Sequence, residues 1–178
     1  MRPAIFLDRD DTLMEANSLP PPPPPGARGD VVNPELVKLL PGAKDGCERL
    51  KQAGFALVVV SNQGVVARGA GTMQQVQDVN ARLAELLGGN LIDAFYFCPF
   101  HPKGNVPEFT REHPWRKPAP GMILAAAVEL ELDLSQSWLI GDAQRDIEAG
   151  LAAGLPKSHC ILLNRDTTLR SAAAQICK

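Results

Sequence analysis

The sequence predicts an α/β fold: a Rossmann-like, doubly wound and mainly parallel sheet with helices on both faces and no separate cap domain. Three observations carry this. Short apolar runs alternate with helical patterns along most of the chain. Four of the five runs hold few or no polar residues, as strands covered on both faces do. Three of them also end directly in polar clusters able to bind a ligand, the arrangement expected at the carboxyl edge of such a sheet.

Ala4–Leu7, Phe55–Val60, Ile92–Phe97, Trp138–Ile140 and Cys160–Leu163 read as the strands. Residues 41–53 form the first helix, stopped by Gly54. Thr72-Met73-Gln74-Gln75 is a capping box, and Val76, Val79, Leu83, Leu86 and Leu87 recur at helical spacing until Gly88-Gly89. Pro120 opens a helix reaching Leu132, Asp142 to Ala153 forms another ended by Gly154, and a last one covers Thr167 to Cys177. Pro20 to Pro25, followed by Gly26, predicts a stiff extended surface loop. Residues 98–117, rich in Pro, Gly, His and charge, form a long connection of the kind that usually serves function.

The 178 residues fit one domain spanning 1–178, with 45% hydrophobic and 21% charged residues, a globular composition rather than that of a tail or fibre. A net charge of −2 gives no overall basic field, so nucleic acid is not expected as a partner and an anionic ligand must meet a local cluster. The four apolar residues before Asp8 are too few for a signal-peptide core, and no apolar run approaches a membrane span. Cys47, Cys98, Cys160 and Cys177 lie far apart, which suits a reduced, cytoplasmic protein without disulfides. A monomer without membrane contact is expected.

The first strand runs into Asp8-Arg9-Asp10-Asp11-Thr12, the second into Ser61-Asn62-Gln63-Gly64, and the fourth into Gly141-Asp142. Asp8 and Asp10, two apart in extended chain, point to one side. Their repulsion either raises one pKa or recruits a cation. With Asp142 they offer three carboxylates, a donor set suited to Mg²⁺. Lys117 and Arg116 can balance phosphate oxygens while Ser61 donates a hydrogen bond. Taken singly, the pentapeptide fits a solvated acidic turn, Arg116-Lys117 a solvated basic pair, and Asn62 and Gln63 ordinary turn formers.

In chain order these segments resemble the four motifs of the haloacid dehalogenase (HAD)-like phosphatase superfamily. More narrowly, FLDRD, ALVVVSNQ, the segment beginning YFCP, and RKPAPGM resemble the D-glycero-D-manno-heptose-1,7-bisphosphate 7-phosphatase family, with histidinol-phosphate phosphatases close by. The resemblance implies that Asp8 attacks phosphorus and carries a transient aspartyl-phosphate, and that Asp10 is the acid and base. It implies Mg²⁺ on Asp8, Asp142 and the Asp10 carbonyl, with Asp146 nearby in support. Ser61 and Lys117 then stabilise the phosphoryl group, and Asn62, Gln63, Gly64 and Arg116 contact the phosphosugar substrate. A role in heptose supply for lipopolysaccharide follows from the same resemblance.

The chain departs from that family in three places. Asp11 stands where a glycine is usual, Ala143 where lysine is common, and Phe100 and Trp115 replace two ligands of a structural zinc site. Cys98 and His113 remain, even with His101 too few for tetrahedral zinc. Zinc is therefore not expected, and aromatic packing is expected to hold the loop. A second phosphate wants a second cation, supplied by Arg116 with Arg68 or Lys103. Histidinol would want a carboxylate there, and a non-catalytic phosphosugar-binding module would need neither nucleophile nor acid.

Overall fold

Alternation along the strands creates two hydrophobic layers from one sheet. In the computed structural model, which describes residues 1–164 and 166–178, β1 spans Ala4–Leu7 and all four of its residues are buried. Ile5 and Leu7 face one layer, Ala4 and Phe6 the other. The chain then forms α1 (Ala43–Gln52), β2 (Ala56–Asn62), the short α2 (Val65–Arg68), α3 (Met73–Leu87) and β3 (Ala94–Cys98). Next come α4 (Gly121–Glu129), β4 (Trp138–Gly141), α5 (Gln144–Ala152), β5 (Cys160–Leu162) and α6 (Leu169–Ile176).

All strand pairs are parallel, in the order β3-β2-β1-β4-β5. Helices α1, α3 and α6 contribute Cys47, Leu50, Leu83, Leu87 and Ala172 to the layer holding Ile5, Leu57 and Ile140. Helices α4 and α5 contribute Met122, Ile123, Ala126 and Ala149 to the layer holding Phe6, Val58 and Leu139. Each fully buried aliphatic or aromatic side chain contributes about 1.5–3 kcal/mol.

The order places the switch point between β1 and β4. β2 and β3 follow β1 to one side, and the chain then crosses back to place β4 and β5 on the other. The crevice at the carboxyl ends of β1, β2 and β4 is where such a sheet opens to a ligand.

The elements lie within three residues of the sequence expectation at either end, and Thr72 caps α3 in a full capping box with Gln75. Two expectations need correction. Residues 65–68, expected as loop, form the single helical turn α2. The proline run is extended only at its start, because Gly26 N–H donates to Pro23 O (2.9 Å) and bends the chain back. Residues 98–117 are ordered by aromatic contacts described below. No described helix is long and apolar enough to cross a membrane.

Candidate active site

Asp8 continues β1 by one residue, its N–H donating to Ile140 O at 3.0 Å, so its side chain emerges beside the end of β4. It is 4% exposed. Lys117, arriving just before α4, is equally buried and donates from Nζ to Asp8 Oδ1 (2.6 Å) and Val60 O (2.7 Å), with Asp146 Oδ1 at 2.8 Å. Two of its N–H groups are thus hydrogen-bonded, and the Asp146 carboxylate meets the ammonium as an ion pair. Asp146 Oδ2 accepts from Ala143 N–H (3.0 Å), which holds the carboxylate at the first turn of α5. A side chain at position 141 would run into Asp146, with a Cβ only 2.5 Å from Asp146 Cβ, so glycine is required there.

One oxygen each from Asp8, Asp142 and Asp146 lies within 4.8 Å of the others. Burial pushes the Asp142 carboxyl up to about 7, aided by the charge and hydrogen bond of Asp8 and then by Asp146, against Arg145. Burial and Asp8 also raise Asp146, while Lys117 opposes them. For Lys117 burial pulls downward, but Asp8 and Asp146 outweigh it and raise its pKa, so it stays charged. Three carboxylates against one ammonium leave the cluster short of positive charge. Asp142 Oδ1 is buried without a hydrogen-bond partner. An oxygen-only donor set with an orphaned oxygen fits a hard divalent cation.

Asp10 lies apart from that cluster. Its carboxylate accepts from Gln63 Nε2 (2.8 Å) and pairs with the Arg9 guanidinium, while also lining the cavity in front of Asp142. Gln63 Nε2 donates to Ser61 Oγ as well (2.8 Å), which fixes the buried Ser61 hydroxyl. Asn62 brackets the Lys117 backbone, accepting from its N–H and donating to its O, both at 2.9 Å. The side-chain amides of Asn62 and Gln63, expected on substrate, are thus engaged in holding Lys117, Asp10 and Ser61. The sequence also undervalued Asp146, which joins the cluster itself. The signal available was its i,i+4 spacing from Asp142 at the start of a helix.

Asp11 adopts the left-handed backbone (φ 56°) that a glycine would take. Its carboxylate accepts from Ala16 N–H (2.9 Å), Asn17 N–H and the Asn17 amide, so the extra charge is directed into the following loop.

A cavity of about 240 Å³ opens above Asp10 and Asp142, with Arg28, Arg68, Arg116 and Arg145 among its walls. Asp30 pairs with Arg68, and Arg28 Nε donates to Asn17 O (2.9 Å). Arg145 has no ion-pair partner among the described residues. Over Gly64 the tips of Arg68 and Arg116 converge with His101, so a Cβ there would meet Arg68 Nη1 at 3.1 Å and Arg116 Nη1 at 3.5 Å. Burial, then the charges of Arg116 and Arg68, hold the His101 pKa below its ordinary value. The four arginines thus share the cavity with Asp10, Asp11, Asp30 and Asp142, and Arg28, Arg116 and Arg145 face it without an ion-paired aspartate of their own among the described residues.

The 98–117 connection is held by an aromatic stack. Phe100 lies 4.2 Å from His113 at 17°, the Arg111 guanidinium sits 4.1 Å over the Phe100 ring, and Trp115 meets Tyr96 edge-on at 6.0 Å. Cys98 is buried, which raises its thiol pKa, and His113 Nδ1 accepts from Trp115 N–H (3.1 Å). Among the described residues, the Asp8–Asp142–Asp146 group is where three such donors approach closely enough to share an ion. These loop residues do not fit zinc.

The chain is similar to known proteins over nearly all its length. A HAD-hydrolase-like family model matches residues 114–176. The D-glycero-beta-D-manno-heptose-1,7-bisphosphate 7-phosphatase of Yersinia pestis is 37% identical over 174 residues, covering 97% of this chain and 87% of that protein. The enzyme of the same name from Escherichia coli K12 is 37% identical over 155 residues, 86% of this chain and 75% of its own. Among solved structures, a HAD-like phosphatase candidate from Mesorhizobium loti superposes with a TM-score of 0.81 at 31% identity, covering 99% of this chain and 86% of that one. The D,D-heptose 1,7-bisphosphate phosphatase of B. bronchiseptica, solved with magnesium and phosphate, shares the fold with a TM-score of 0.75 at 24% identity, over 98% and 97% of the two chains.

Proposed function

The chain belongs to the D-glycero-D-manno-heptose-1,7-bisphosphate 7-phosphatase family of HAD-like hydrolases, and from that premise we propose that it is a Mg²⁺-dependent phosphatase removing the 7-phosphate of a heptose 1,7-bisphosphate. The carrying observation is the buried Lys117 ammonium set between Asp8 and Asp146 beside Asp142, at the switch point of the sheet.

Asp8 is the nucleophile in this reading. One of its oxygens bonds to phosphorus as the ester P–O bond breaks, and Asp10 gives its proton to the departing sugar oxygen. Water then attacks the aspartyl-phosphate, Asp10 takes the proton, and the bond to Asp8 breaks. Lys117 and Ser61 face charge that builds on the phosphoryl oxygens. Asp8 and Asp142, with the Asp10 carbonyl, would hold Mg²⁺, and Asp146 stands close enough to assist. Once bound, the ion supplies charge neutralisation between an anionic nucleophile and an anionic substrate. The convergence of Arg68 and Arg116, with Arg145 across the cavity, supports a substrate carrying a second anionic group.

The test is phosphate release, with and without Mg²⁺, from both anomers of the heptose bisphosphate and from histidinol phosphate. A large preference for one bisphosphate anomer is expected. Preference for histidinol phosphate would keep the mechanism and overturn the assignment of the arginines. No release from any of them would overturn the enzymatic reading in favour of a phosphosugar-binding module. We read the functional unit as the monomer, since every group named comes from one chain. Light scattering of the active species checks this.

A further inference from the structure

One costly group has no part in that scheme. Arg9 lies between Asp8 and Asp10 in sequence, yet its guanidinium turns inward and is completely buried. Burying such a charge costs several kcal/mol unless its N–H groups are matched. The matches are few and specific. Nε and Nη2 donate to Asp10 Oδ1 and Oδ2 at 3.0 and 3.2 Å, and Nη1 donates to Asn80 Oδ1 at 2.9 Å. Asn80 is a buried residue of α3, a helix anchored by Val76, Val79, Leu83 and Leu87. A hydrophobic side chain would fill the space below β1 without this cost, so the placement of the charge calls for an account.

We propose that Arg9, itself fixed by Asn80, is a positioning residue that holds the Asp10 carboxyl in the orientation its proton transfers require. This rests on Asp10 being the proton donor and acceptor of the reaction. A planar fork meeting both carboxylate oxygens fixes the plane of the group as well as its distance. Gln63 adds a third constraint at Oδ2. Asp10 serves both half-reactions, giving its proton to the leaving oxygen as the substrate P–O bond breaks and taking one from water as the Asp8–phosphorus bond breaks. Both demand the same placement, and misplacement by about 1 Å can cost ~10²-fold in rate. Asn80, 71 residues away in sequence, extends this control to the centre of α3.

Arg9→Lys keeps the charge without the fork, and Asn80→Ala removes the support while leaving Arg9. Each is expected to lower kcat on the sugar phosphate by roughly 10–100-fold with KM within about twofold, the signature of a group that acts on the transition state. Asn80→Asp keeps the accepting oxygen and should recover most of that loss. The decisive comparison is kcat/KM on 4-nitrophenyl phosphate, whose leaving oxygen departs without needing a proton, so the deficit there should be several-fold smaller. Equal losses on the two esters, or wild-type kcat in both variants alongside an inactive Asp10→Asn, would overturn the proposal. Normal turnover by Asp10→Asn would instead overturn the role of Asp10, and this inference with it. Thermal melting confirms that each variant is folded, and Asn80→Ala, which keeps every charge, guards against misfolding of Arg9→Lys.

Discussion

The floor and the mouth of the cavity use charge in opposite ways. On the floor, Asp8 and Asp146 are almost wholly buried and both pair with the buried Lys117; the three rise from the end of β1, the first turn of α5 and the turn just before α4. At the mouth, Arg28 is exposed and Arg116 half-buried, carried on loops, and Arg145 is unpaired among the described residues. Burial makes each floor contact strong and its loss severe, because a remaining partner is left charged in a low dielectric. Solvent at the mouth screens each arginine, so those groups tune affinity. Most of the chemistry stands on the strand ends and the first turn of α5, while Arg28 and Arg116 of the mouth stand on loops that can vary around it.

The sharpest way to break the contrast is Asp8→Asn, which should reduce turnover by at least ~10³-fold while the fold persists. Steady-state phosphate release and circular dichroism check the two halves of that expectation, and appreciable residual turnover would remove the nucleophile assignment. Lys117→Met should come next. Breaking a buried pair costs about 3–5 kcal/mol, so denaturant melts should show a loss of that size alongside a fall in kcat. Added Mg²⁺ should recover part of the stability, since three carboxylates would then share the ion. Arg145→Gln at the mouth should lower kcat/KM for the bisphosphate about tenfold, the value of one charged hydrogen bond. Its effect on a monophosphate should be smaller, and an equal effect would place Arg145 with the floor instead.

The smallest effect concerns pH. Asp142 has a folded pKa of about 7, above its ordinary carboxylate value, so the folded state binds this proton more tightly than the unfolded chain does. In metal-free protein that contribution favours folding at low pH and is lost as pH rises through about 7. Melting temperatures from pH 5 to 8 should therefore decline more steeply in wild type than in Asp142→Asn, and saturating Mg²⁺ should flatten the wild-type curve. A variant that declined as steeply as wild type would show that burial at Asp142 is not the cause.

The floor was largely legible in the sequence and the mouth only in part. Strands such as Phe6 to Asp8 and Val60 to Ser61 announce themselves because a buried run must be apolar until the point where its function begins. Asp142 follows by the same reasoning from the end of β4, whereas Lys117, in the turn before α4, is legible only through the motif it belongs to. The single turn α2 leaves no signal in the sequence because four residues carry no periodicity. Nothing local marks the bond from Arg9 to Asn80, since only the packing of α3 against β1 brings them together. The amide groups of Asn62 and Gln63 could be aimed at ligand or at protein, and residue type alone does not distinguish these. The bend at Pro23–Gly26 likewise depends on what the run packs against.

The carboxylate of Asp11 bears on how this surface can change over time. By gripping Ala16 and Asn17, whose carbonyl holds Arg28, it closes the base of the 18–27 excursion, and Asp30 on Arg68 clamps the chain just beyond it. A loop closed at its neck is indifferent to what lies between, because doubling its length costs only about 0.6 kcal/mol in closure entropy. The six prolines thus occupy a site where insertions, deletions or grafted peptides can accumulate without moving the arginines. The segment is a natural attachment point for tags and probes on an otherwise undisturbed catalyst.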